Sequence, residues 1–291
     1  MESTTKQVLT SEDLKSFEND GYVQLKHFWP HELLKKYEDT VIHFHYLQAL
    51  KISALRHQFE KGLNPIFYNT VEDFDRVLAA FEVEDKEAAY QATFMINCSA
   101  AAKELTSYEP FLKICSSILD CPIEILVAGA PEPFTNLPST KRLLYKWHSE
   151  SSYYPKRRNF LNIWFPIFRD KSTENGTMFF CRNSHKVEER HYVEYRGYDN
   201  DSSKKNTYLQ FEIPASELTS YEKVPVLAER GDLILFSRST VHTSTLNQSN
   251  VPSYAAVCRV MDMRRDLSLS GDMAVRPGIS DYGRPGIEPL S

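Results

Sequence analysis

Apolar positions over the first 120 residues recur at helical spacing, whereas those that follow alternate or run together in short blocks. Thr10-Ser11-Glu12-Asp13 offers capping residues ahead of Leu14 and Phe17, so a short helix is expected there, ended by Asp20-Gly21. The alternation in "YVQLKHF" predicts a strand. From His31 to about Ala54, Leu34, Tyr37, Val41 and Phe44 share one face of a second helix. Helical spacing returns in "VEDFDRVLAAFEVEDKEAAYQA" and "SYEPFLKICSSIL".

Beyond residue 120 the blocks are short, rich in β-branched and aromatic residues, and bounded by turn signals. "IEILVAG", "KRLLYKWHSE", "NFLNIWFPIF", "GTMFFCRN", "KVPVLAE", "GDLILFS" and "SYAAVCRVMD" read as strands of a sandwich or barrel. Residues 186–208, including "EERHYVEYRGYDNDSSKKNTY", are polar and turn-rich and read as a long, lid-like loop. Residues 266–291 carry Pro and Gly without periodicity and read as an irregular tail. The expected architecture is α+β with a mainly β core. It is one domain over 1–291, in which a helix-rich flank (1–120) precedes a jelly-roll core (121–265).

Composition narrows the function. The 291-residue chain carries 17 Phe and 16 Tyr, enough apolar matter for a large core, and a formal charge of -5 that argues against nucleic-acid binding. Its five cysteines form no CxxC pair, its start lacks a signal-peptide pattern, and no apolar run is long enough to cross a bilayer. A cytoplasmic protein with no membrane partner is the expectation.

The candidate chemistry lies in "LYKWHSESSYYP". On a strand, His148 and Glu150 at i and i+2 point to one side. His242, after the block that opens with Gly231-Asp232, is the candidate third ligand. Two imidazoles and one carboxylate on a metal leave positions open, which is the ligand set of non-haem Fe(II) oxygenases. An H-x-E pair alone also arises by chance; order, spacing and flanking residues give it meaning.

Four segments in order resemble the phytanoyl-CoA dioxygenase family of Fe(II)/2-oxoglutarate-dependent oxygenases. These are "FENDGYVQLKHF", "WHSE", "IWFPIFRDKSTENGTMFFCRNSHK" and "AERGDLILFSRSTVHTSTLNQS". The resemblance implies a double-stranded β-helix, Fe(II) on His148, Glu150 and His242, 2-oxoglutarate as co-substrate and O2 as oxidant. Two departures stand out. The family's carboxylate is usually Asp, and Glu150 is one methylene longer; because it keeps a carboxylate, a halogenase reading is disfavoured. The family also places an Arg about ten residues after the second His, to bind the far carboxylate of 2-oxoglutarate. Here Ser253 falls near that place, and the first Arg is Arg259.

Arg259 and Ser253 share parity but lie roughly 20 Å apart on one strand. If 247–252 form a hairpin loop pairing the strands on either side, Arg259 comes diagonally beside His242 and can serve as the anchor. Lys146, on the His148 face, is a second candidate, or a solvated strand lysine. Ser244 is placed as a hydroxyl donor to the same carboxylate, and Trp164 as a wall of the co-substrate pocket or an ordinary core residue. Trp147 and the aromatic run after it are expected to wall the site. His185 precedes the polar loop and is not expected to ligate; His43, His45 and His57 fall in helical segments. Tyr153-Tyr154 followed by Lys156-Arg157-Arg158 suits an anionic, partly apolar small molecule, and equally a solvated basic turn. Two other readings share the pattern: an iron oxygenase of this fold that does not use 2-oxoglutarate in the usual way, and a non-catalytic jelly-roll binding protein.

Overall fold

The computed structural model describes residues 9–50, 70–72, 74–75, 78, 86–141, 144–154, 159–188, 190–196 and 209–264. Helix α1 (Ser11–Asp20) opens on a complete capping box. The Thr10 side chain accepts from the Asp13 N–H, and the Asp13 carboxylate accepts from the Thr10 N–H. Gly21 ends the helix at φ +85°, where a Cβ would lie 2.5 Å from the His185 ring. Strand β1 (Tyr22–Leu25) and helix α2 (His31–Ala49) follow. Leu34, Tyr37 and Val41 are buried along α2 as their spacing implies, and the helix stops at Ala49; residues 51–54 lie outside the described residues.

Helices α3 (Lys86–Cys98), α4 (Ala100–Thr106) and α5 (Glu109–Leu119) complete the helical flank. The β part begins with β2 (Leu126–Ala128) and β3 (Glu132–Asn136). Helix α6 (Glu150–Tyr153), β4 (Phe160–Ile167) and β5 (Met178–Cys181) come next. Then come β6 (Val193–Arg196), β7 (Leu209–Glu212), β8 (Lys223–Pro225), β9 (Leu233–Ser237), β10 (His242–Ser244) and β11 (Ser253–Asp262).

Antiparallel pairing gives a six-stranded sheet in the order β1-β9-β4-β11-β2, with β3 also on β11, and a three-stranded sheet β10-β5-β8. Every residue of β4 is buried, because both faces of its sheet are covered. Leu161, Ile163, Phe165 and Ile167 pack on one side with the apolar faces of α2 and α5. On the other side, Trp164, Ile234, Phe236 and Ala255 meet Phe180, Val226 and Ala228 from the smaller sheet's side. The two sheets therefore enclose an interior distinct from the helical interface.

Three expectations are corrected. Residues 144–150 of "KRLLYKWHSE" form no strand: His148 makes a single β-bridge to His242, and Glu150 begins α6. Within the expected 186–208 loop, Val193–Arg196 is a strand, β6, paired with β7 just beyond it from Val193↔Glu212 to Arg196↔Leu209; 197–208 lies outside the described residues. The segment after His242 does not pair with β11 either. β10 joins β5 in the small sheet while β11 joins β4 in the large one, so the two strands face each other across the interior. Among the described residues no helix is long and apolar enough to cross a membrane.

Candidate metal centre

The bridge between His148 and His242 is a reciprocal pair of backbone hydrogen bonds, 2.9 and 2.8 Å, which sets the two residues directly opposite each other. Their rings are 4.1 Å apart. Each Nδ1 faces a carbonyl two residues earlier, Lys146 O at 2.6 Å and Thr240 O at 3.0 Å. A carbonyl oxygen only accepts, so Nδ1 carries the proton in both rings and Nε2 presents its lone pair. Both Nε2 atoms aim at Glu150 Oε1, at 3.8 Å from His148 and 3.9 Å from His242.

Glu150 reaches this point from the first turn of α6, not from a strand. The chain turns at Ser149, and the Ser151 N–H donates to Arg238 O, tying the helix start to the end of β9. One donor atom from each of the three residues lies within 4.8 Å of the other two, and all three residues are buried. This donor set fits a divalent iron: two imidazole nitrogens whose tautomers are fixed by backbone carbonyls, and one carboxylate oxygen.

Electrostatics favour that state. Burial pushes His242 down to about 3, aided by His148, so its ring stays neutral. Burial pushes the Glu150 carboxyl up, but the Arg259 guanidinium beside it counters burial and holds the group ionised. Arg259 donates to Glu150 Oε2 from Nε at 3.1 Å and from Nη2 at 2.5 Å, leaving Oε1 to the histidines. Its guanidinium also sits 5.0 Å from the centre of the Tyr154 ring.

The other expected site residues are distributed as follows. Trp164 is buried in the inter-sheet interior, opposite Val257 and Ile234. Ser244 lies two residues along β10 from His242, opposite Met178, and its N–H donates to Tyr145 O. Lys146 is not aimed at the triad, because its ammonium is 2.5 Å from Glu212 on β7. Trp147 does not wall the site: it packs with Cys181, Ile213, Leu218 and Val241 and lies beneath Lys223. Tyr145 and Tyr153 flank His148 instead, at 5.4 and 5.6 Å, and Phe236 flanks His242 at 4.9 Å. His185 bonds to Glu18 O on α1, and residues 155–158, which include the basic run, lie outside the described residues.

Sequence reasoning missed Lys171. It sits in the polar connection "RDKSTENG", where a lysine reads as solvated, yet it is buried. Its backbone bridges Ala228, and its ammonium donates to Ser253 Oγ (2.7 Å) and Gly176 O (3.3 Å). No local pattern signals this burial.

The sequence profile of the family described as phytanoyl-CoA dioxygenase (PhyH) matches residues 17–253. The match spans most of the chain, and the chain belongs to this family. Family and triad together make it an Fe(II)- and 2-oxoglutarate-dependent enzyme, with O2 as oxidant. No curated protein matches it in sequence.

Solved structures resemble it in fold. The epimerase SnoN in complex with Fe3+, alpha ketoglutarate and nogalamycin RO is 13% identical with TM-score 0.55, covering 96% of this chain and 92% of its own. EctD from S. alaskensis with 2-oxoglutarate and 5-hydroxyectoine is 13% identical with TM-score 0.55, covering 91% and 79%. EvdO2 from Micromonospora carbonacea var. aurantiaca, complexed with 2-oxoglutarate, is 16% identical with TM-score 0.51, covering 88% and 92%.

Proposed function

We propose that the protein oxidises a C–H bond of a small-molecule substrate, most simply by hydroxylation, and releases succinate and CO2 from 2-oxoglutarate. The observation that carries this is the convergence of two tautomer-fixed Nε2 atoms and Glu150 Oε1 on one buried point. We assign His148, Glu150 and His242 as the ligands. Iron held there with 2-oxoglutarate would activate dioxygen, which oxidises both the 2-oxo acid and the C–H bond.

The rest is work for the chain itself. The Lys146 and Thr240 carbonyls hold the imidazoles in register, and Arg259 keeps Glu150 ionised and turned toward them. Trp164, Phe180 and Phe236 form an apolar wall that excludes water from the interior. Ser244, two residues along β10 from His242, is assigned as a hydroxyl donor to the co-substrate. Tyr153 packs against Phe211 of the β6–β7 ribbon, and its hydroxyl accepts from the Phe211 N–H. That ribbon is read as one wall of the substrate entrance. Productive oxidation needs one C–H bond held near the metal, which this enclosure supports.

The two facing antiparallel sheets are read as a double-stranded β-helix, and the whole chain as one domain in the cytoplasm. An anionic substrate remains part of the proposal, drawn from the basic run Lys156-Arg157-Arg158.

Anaerobic addition of Fe(II) and 2-oxoglutarate is the test. A weak visible charge-transfer band, followed by succinate once oxygen is admitted, is expected. Iron binding without the band would favour an oxygenase that does not use 2-oxoglutarate, and absence of iron binding would favour a binding protein.

A further inference from the structure

Strand β11 carries two features on its inner face, one at each end. Ser253, Ala255, Val257 and Arg259 alternate toward the inter-sheet interior, where Ala255 and Val257 pack with Trp164 and Phe180. At one end Arg259 is committed to Glu150. At the other, Ser253 holds the ammonium of Lys171. Lys171 is buried, and among the described residues it forms no ion pair: its partners are the Ser253 hydroxyl and the Gly176 carbonyl. A buried ammonium without a carboxylate is costly unless an anion completes it. Ser253 also falls near the place where the family resemblance calls for an arginine.

The spacing suits a short dicarboxylate. His242 pairs with Phe180, and Gly176, whose carbonyl receives the Lys171 ammonium, lies four residues before it. Fully extended, that would be about 13 Å, an upper bound because β5 begins at Met178 and Gly176 has φ +80°. An extended five-carbon dicarboxylate, chelated at one end and hydrogen-bonded to an ammonium at the other, spans a comparable length. The intervening side chain of Ala255 is small, and Phe180 and Phe236 make the walls apolar.

Resting on the reading given under Proposed function, we propose that Lys171, reaching in from the β4–β5 connection, binds the distal carboxylate of 2-oxoglutarate in place of an arginine on β11. Arg259 then serves the metal ligand and Lys146 serves Glu212, which separates three cations into three tasks. Ser253 positions the ammonium: its hydroxyl accepts from Nζ and donates to Asn175 O at 2.5 Å. Without an anion, burial pushes Lys171 down to about 7; a carboxylate laid against it restores the charge.

The test compares two 2-oxo acids on the Fe(II)-loaded protein without oxygen, titrated through the charge-transfer band. 2-Oxoglutarate and 2-oxovalerate share the chelating head and the five-carbon length, and only the first has a distal carboxylate. Wild type is expected to prefer 2-oxoglutarate. Lys171→Met is expected to bind 2-oxoglutarate about ten- to a hundredfold more weakly while 2-oxovalerate is unchanged. Adding Ser253→Arg to Lys171→Met is expected to restore the preference from the β11 side. Lys171→Gln, which keeps an amide donor to Ser253, serves if the methionine variant does not fold. A preference retained without the lysine overturns the proposal, and so does equal weakening of both acids, since the band itself shows that the site is otherwise intact. Failure of wild type to bind either acid removes the reading on which the proposal rests, and the proposal with it.

Discussion

Arg259 grips the outer oxygen of Glu150, with Nη2 2.5 Å from Oε2, while the inner oxygen of the same carboxylate faces His148 and His242. The extra methylene of a glutamate is thus accommodated by a helix start on one side and a guanidinium on the other. Partners of a ligating carboxylate fix its orientation, and removing them typically weakens metal affinity about 10- to 100-fold. Arg259→Met is expected to bind Fe(II) more weakly by that order while remaining folded. Equal iron affinity in metal titrations of the two proteins would show that the arginine does not support the ligand.

Removing a ligand has a larger effect. In His242→Ala the backbone bridge to His148 survives, because it uses main-chain atoms, but the second Nε2 is gone. Iron occupancy after gel filtration is expected to be lost with the melting temperature little changed.

The pH dependence of stability offers a reading of Lys171 without any ligand. Its pKa is about 7 in the folded chain against 10.5 when exposed, because burial disfavours the charge. Between those values the unfolded chain holds a proton that the folded chain does not, so this group makes stability rise with pH, by up to about 1.4 kcal/mol per pH unit. Below about pH 7 that contribution is absent. The buried Cys258 thiol, pushed up to about 12, and the buried Tyr37 phenol, also raised, act in the opposite sense at high pH. The informative quantity is therefore the difference between wild type and Lys171→Met. Denaturant titrations from pH 7 to 10 are expected to show wild type gaining stability relative to the variant.

Glu38 on α2 is buried and bidentate to Arg230, at 2.7 Å on each oxygen, and it also accepts the Phe168 N–H. Glu38→Ala leaves that guanidinium and an amide without their partner. The expected loss is about 1–3 kcal/mol in denaturant unfolding, the range for donors left without their acceptor, since the Arg230 side chain keeps a quarter of its surface in water. A loss below 1 kcal/mol would mean that water replaces the carboxylate.

Gly176 has φ +80°, and a Cβ there would meet the Asn136 side chain and lie 2.9 Å from Thr245 O. Gly176→Ala is expected to destabilise the chain by about 1–3 kcal/mol from backbone strain alone. It is also expected to lower 2-oxoglutarate affinity, since the same loop carries the carbonyl that Lys171 contacts. Unfolding and anaerobic binding measured on one preparation check both.

Much of the fold was legible because local rules and burial agreed. Thr10 to Asp13 spelled a capping box, α2 carried its stripe at Leu34, Tyr37 and Val41, and β4, β9 and β11 were apolar runs bounded by turns. The ligand types at His148, Glu150 and His242 were equally visible in the chain. Their means of convergence was not. A strand was expected to turn His148 and Glu150 to one side; instead a main-chain bridge and a helix start do so. Strands β6 and β7 were hidden by polar composition, because their cross-strand pairing depends on residues 13 to 19 positions apart that carry little apolar pattern.

The chain by itself determined the residue types of the metal site and the alternation of helix and strand, since periodicity, caps and donor chemistry are local properties. Only the tertiary structure decided where the cations go. Arg259, Lys146 and Lys171 are alike in sequence as basic residues near apolar strands. Packing two sheets face to face turned one toward Glu150 and paired another with Glu212. The third was sealed beside Ser253, because which group loses water depends on neighbours far away along the chain.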